Sequence, residues 1–148
     1  MLRANLLFIH VASAMGVFAA LGMEALALAH LRHAANDDAA RASLADLGSA
    51  QRLAAPAMLG LIVSGFWLAT AYWHWQGAWM RLGFLGLVAV GAVGGLMTGR
   101  AVRRLHPRRH EPGFDAALHR VVPSLRRSFL IRGTLLAAVV YLMTTKPT

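Results

Sequence analysis

The sequence predicts an all-α fold, a bundle of four membrane-spanning helices. Three observations predict it. Hydrophobic residues make up 57% of the 148 residues and charged residues only 14%, well under the roughly 25% charged content of soluble domains. Four apolar stretches each approach the ~20 residues a helix needs to cross hydrocarbon. The charges gather between those stretches instead of recurring along them.

The first span covers about residues 5–31. Met1-Leu2-Arg3 before an apolar run is also how a signal peptide begins. The run from Leu6 to Leu31 exceeds the ~7–15-residue apolar core of such peptides. It also carries His10 and Glu24, so it reads as a retained helix. The connection from Arg32 to Ala55 is polar and alanine-rich. Asn36-Asp37-Asp38 has the form of a helix start with acids in the first turn, so a short helix extending from or beside the membrane is expected there. The second span covers about 56–75, with Pro56 in a first turn that needs no N–H from it. After a turn at Gln76-Gly77 the third span covers about 79–99, making an antiparallel hairpin. The fourth covers about 128–145. Between the last two lies a basic connection, 100–127, holding Pro107, Pro112, Gly113 and Pro123, which predicts that no single long helix runs through it. The whole chain reads as one transmembrane domain without repeats.

Arginine placement sets the orientation. Twelve of the 15 Lys and Arg residues fall on the side of the two long connections, with Arg132 just inside the fourth span. Arg3, Arg81 and Lys146 fall on the other side. Cytoplasmic loops carry the excess of Lys and Arg, so both termini are expected on the non-cytoplasmic side. Tyr72, Trp73, Trp75 and Trp79 surround the hairpin turn, as ring anchors at a membrane interface do. Within the spans, small residues recur every four positions: Ala12, Gly16 and Ala20 leading to Glu24, then Gly60 and Ser64, then Gly91, Gly95 and Gly99. Such stripes let helices approach closely and predict a tight bundle.

Several chemistries are excluded. With no cysteine there is no disulfide, thiolate metal site or cysteine nucleophile. No phosphate-cradling glycine loop, nucleophile elbow or HExxH helix is present, which argues against a familiar enzyme class.

What remains are charges and histidines inside the spans. A charge at membrane depth is costly and usually faces a partner or a cavity. Glu24 lies about two turns from the basic end of the first span, and Arg132 lies at similar depth in the fourth. The pair is expected to meet, either as an ion pair pinning two helices or as part of a proton or ion relay. His10 stands 14 residues before Glu24, almost four full turns, on nearly the same face. Ser13 is close enough to bond it locally. His74 ends the second span at the same level as His10. Two histidines at matched depth can ligate haem iron axially, or hold copper with Met15 or Met80. The alternative is one hydrogen-bonded core histidine and one interfacial histidine. His106, His110 and His119 sit in the basic connection, which reads as a surface for anionic lipid headgroups. Nucleic acid is the lesser reading, because no aromatic residues interleave the arginines.

Leu6-Leu7-Phe8-Ile9-His10-Val11-Ala12, followed by Gly16 and Gly22, resembles the first helix of the CopD-like group of small bacterial membrane proteins, which includes the HemJ-type protoporphyrinogen oxidases. The resemblance implies a four-helix plan in a bacterial inner membrane and haem b or copper associated with His10. The chain departs from the HemJ-type pattern in having no lysine within a span and no histidine in the third and fourth spans. Three functional expectations follow. The first is a non-enzymatic accessory subunit or module, working with other membrane subunits or as a homo-oligomer. The second is a haem- or copper-binding redox protein using His10. The third is a proton- or ion-conducting bundle centred on Glu24.

Overall fold

A computed structural model of the chain describes residues 1–34, 36–105, 107 and 114–145. Four helical rods dominate them, each long and apolar enough to cross a membrane. Helix α1 is Leu2–Arg32. Helix α2 is Asp37–Leu68 and continues through a π-helical turn, Ala69–Trp73. Helix α3 is Ala78–Val93, prolonged by a π-helical stretch, Gly94–Gly99, and by Arg100–Leu105. Helix α4 is Phe114–Thr145.

Two of these rods are longer than the sequence predicts. The second helix starts at Asp37, well before the span expected from about residue 56, so Pro56 lies inside a helix and not in its first turn. The Asn36 side chain caps the start, accepting from the Ala39 amide at 2.9 Å. Arg41 bridges back to Asp38 at 2.8 Å. The fourth helix starts at Phe114, well before the span expected from about 128, so part of the connection 100–127 is helix, and Pro123 is inside it. Proline costs an interior helix one hydrogen bond and crowds the preceding turn. Both prolines sit on exposed faces, where the helix can bend away from the core. His106, His110 and Pro112 lie outside the described residues.

The extensions form because they are amphipathic. Ala40, Ser43, Leu44 and Leu47 recur at helical spacing on the buried face of α2, as Leu118, Leu125 and Ser128 do on α4, the pattern of a core-facing stripe. At the basic end Leu31, Ala40, Leu44, Leu105, Phe114 and Leu118 pack into one cluster joining all four helices. A second cluster, Ala27, Leu28, Leu47 and Leu125, follows beneath it. A third, Val17, Leu61, Leu87, Val90 and Leu136, crosses mid-bundle.

The bundle is two hairpins, α1 with α2 and α3 with α4, whose members pack far more extensively within a hairpin than across it. Small residues explain the first pair. A Cβ on Gly16 would stand 3.0 Å from Ala57 Cβ, and one on Gly65 would stand 3.1 Å from the His10 ring. The glycine stripe of α3 is divided. A Cβ on Gly91 would stand 3.3 Å from Met58 Cγ, the close approach expected of it, whereas one on Gly95 would meet nothing within 4 Å. The stripe therefore packs against α2 at Gly91 and opens onto a cleft at Gly95. Ala12, placed on the α1 stripe by spacing, is exposed.

At the opposite end α2 turns into α3 through three residues with positive φ: His74 (47°), Trp75 (55°) and Gly77 (99°). Only Gly77 adopts that conformation at no steric cost. The other two are held by the packing of Trp75. Its ring stacks edge-on against Phe84 at 5.5 Å and lies 5.6 Å from Phe66, and its indole N–H donates to Thr70 Oγ1 at 3.1 Å. Arg3 lies over the Tyr72 ring at 5.5 Å, tying the start of α1 to this turn.

Candidate functional site

The most polar buried point in the bundle is built by three helices. Glu24, about 12 Å from the end of α1, is 1% exposed, and Arg132 on α4 is 6% exposed. The structure brings them together: Arg132 Nη2 donates to Glu24 Oε1. Thr98, fully buried on α3, accepts from the same Nη2 at 3.2 Å. Its hydroxyl also lies 3.0 Å from Ser128 Oγ and 3.5 Å from Glu24 Oε1. Ser128 stands one turn before Arg132, so both reach the same layer. Thr98 arrives there from the π-helical stretch Gly94–Gly99. Gly94, beneath Arg132, is needed for room: a Cβ would stand 3.2 Å from the guanidinium side chain.

This arrangement is electrically closed. The two charges compensate each other, Thr98 takes a further bond from the guanidinium, and Ser128 bonds Thr98. Removing one partner from such a buried pair is far costlier than the pair is worth. Two donors nevertheless remain without a partner among the described residues: Arg132 Nε and Gln51 Nε2. Both border a cavity of about 300 Å³ between α2 and α3, lined also by Glu24, Met58, Gly91 and Gly95. Thr98, Ser128 and Gln51 escaped the sequence reading. Only the one-turn spacing of Ser128 and Arg132 marks any of them, since an isolated hydroxyl in a span more often bonds its own backbone.

His10 occupies the other half of the bundle. Its Nδ1 lies 3.1 Å from Ser64 Oγ on α2, not on Ser13, the residue its own helix offers. Ser64 in turn donates to the Gly60 carbonyl. Beside the ring is an apolar cavity of about 210 Å³, walled by Phe18, Trp75, Phe84 and Met143 among others. His74 is not on its lining. It sits exposed on the turn, in the left-handed conformation that ends α2. The residues therefore do not fit an axial two-histidine haem site: one ring is bonded to a serine, and the other is exposed and does not line the cavity beside it. Among the described residues no group of three or more His, Asp and Glu could hold a metal ion.

No protein-family model, curated protein or solved structure matches the chain. The functional reading rests on geometry alone.

Proposed function

We propose that this chain is a non-enzymatic membrane module, an accessory subunit of a larger complex in a bacterial inner membrane. The observation that carries this reading is the closure of the Glu24–Arg132 pair. Each charge has its counter-charge, and Thr98 and Ser128 complete the layer. Among the described residues no free carboxylate is left at depth to bind and release a proton, as a relay requires. The pair instead joins the α1–α2 hairpin to the α3–α4 hairpin where contacts between them are few. Large apolar side chains left exposed along the helices, such as Phe8, Met15, Leu59 and Leu85, supply the lipid-facing and partner-facing surface. The arginine excess at the basic end supports an orientation with both termini outside.

The test is reconstitution of the purified chain alone. Liposomes containing it should leak protons no faster than empty ones, and the preparation should be colourless and free of stoichiometric copper. In native membranes the tagged chain should migrate in an assembly larger than its own 15.9 kDa. Proton flux lost in Glu24→Gln would overturn the reading in favour of a relay. A Soret band lost in His10→Ala would overturn it in favour of a haem protein. The absence of native cysteine makes orientation simple to read: single cysteines at Arg3 and Arg104 should be labelled from opposite sides.

A further inference from the structure

The cleft between α2 and α3 is the least explained feature of the bundle. Its floor includes Gly95, where a Cβ would meet nothing within 4 Å, so no helix packs on that glycine. Its deep part, about 300 Å³, and a wider part at the basic end, about 750 Å³, share Gln51, Ala55 and Gly95, so they form one continuous groove. The wide part carries Arg52 and Arg103. The deep part carries the two buried, unpartnered donors, Gln51 Nε2 and Arg132 Nε. Beyond them Met58 and Ile62 make it apolar.

This order of chemistries along one groove has a direction. Cationic groups stand at the mouth, neutral donors below them, and hydrocarbon last. The donors are neutral in effect because Glu24 already balances the Arg132 charge. An anion buried there would be uncompensated and costly, whereas a neutral carbonyl oxygen can accept from such a donor. From Gly91 to Arg103 the groove runs about 18 Å. That lies between the ~15 Å hydrocarbon depth of one leaflet and the ~20 Å of a leaflet with its headgroup. Gly95 is exposed, so the groove opens sideways toward lipid.

We propose that this cleft is a binding site for one anionic phospholipid. Arg52 and Arg103 take its phosphate. Gln51 Nε2 and Arg132 Nε donate to an ester carbonyl. One acyl chain lies over Gly95 and Gly91 toward Ile62. The lipid thereby fills the gap between the two hairpins that the protein's own side chains leave open. The inference stands on the groove and its donors, independently of whether the chain is an accessory subunit.

The experiment is native mass spectrometry of the full chain, exchanged into nanodiscs of equimolar phosphatidylglycerol and phosphatidylcholine and then released into detergent. Wild type should retain one phosphatidylglycerol per chain, with a preference over phosphatidylcholine on the order of thirtyfold from two interfacial arginines. Gly95→Leu fills the groove where a Cβ meets nothing within 4 Å. It should fold with unchanged circular dichroism and lose the retained lipid of both kinds. The double variant Arg52→Gln, Arg103→Gln, altered only at exposed positions, should still retain lipid but with the preference abolished. Millimolar inorganic phosphate should not displace the lipid. Equal retention of the two lipids by wild type, unchanged retention in Gly95→Leu, or displacement by phosphate alone would each overturn the proposal.

Discussion

The two halves of the bundle solve the problem of a polar group in an apolar span in different ways. Near the basic end, Glu24 and Arg132 lie in a layer where three helices converge and every charge is answered from within the protein. Near the turn, His10 has a single hydroxyl partner, Ser64, and borders an apolar cavity. The difference follows from what each group costs. An ionised side chain at depth requires a counter-charge and further hydrogen bonds, so its neighbours are constrained. A neutral imidazole requires only one or two hydrogen bonds, so its surroundings are free to be aromatic and open. The charged layer therefore bears on whether the hairpins stay together, and the histidine layer bears on local order.

That contrast can be broken by substitution. The largest effect belongs to Arg132→Leu, which strands Glu24 in the core. About 3–5 kcal/mol should be lost, seen as a large drop in the unfolding midpoint in mixed detergent. Next is Gly16→Leu, which forces a side chain against Ala57 where a bare Cβ already stands at 3.0 Å. About 1–3 kcal/mol of overpacking is expected, while Gly95→Leu in the open cleft should leave the midpoint near wild type. Thr98→Val removes the hydroxyl shared by Arg132 and Ser128, and should cost about 1 kcal/mol. The smallest is Ser64→Ala, which deprives His10 of its hydroxyl partner. About 0.6 kcal/mol, the average for hydrogen bonds between membrane helices, should be lost, with thermal unfolding as the readout. A Ser64 loss as large as that of Arg132 would erase the distinction between the halves.

Much of the architecture is legible in the residues. The α1 and α3 spans follow from apolar length, and the turn between α2 and α3 from Gly77 amid aromatic residues. Glu24 and Arg132 stand out because opposite charges at one depth are conspicuous in spans with almost no others. The helical extensions are less visible. Leu118, Val121, Val122 and Leu125 carry the core-facing period, but arginines and Pro123 surround them and read as a loop. Proline's position on an exposed face, which decides whether a helix bends or breaks, is a property of the packed bundle. The α3 stripe is only partly legible for a related reason: Gly91 packs on Met58 while Gly95 opens onto a cleft. Spacing reveals that Gly91, Gly95 and Gly99 share a face, but not whether a helix or a cleft lies opposite. Depth alone pairs His10 with His74, but His74 sits exposed on the turn, off the cavity that His10 lines, and nothing in the residue spacing marks that placement. Gln51 carries no signal at all, since it falls in a polar connection where one more polar residue has no feature to set it apart.

The central claim is that Glu24 and Arg132 act as one unit holding the two hairpins together. A double-mutant cycle on Glu24→Leu and Arg132→Leu, read by reversible unfolding in mixed detergent, measures that directly. Each single variant should be strongly destabilised, and the double should recover most of the loss, because an apolar pair can replace a buried ion pair at little cost. A double variant whose loss equals the sum of the two singles would contradict the claim.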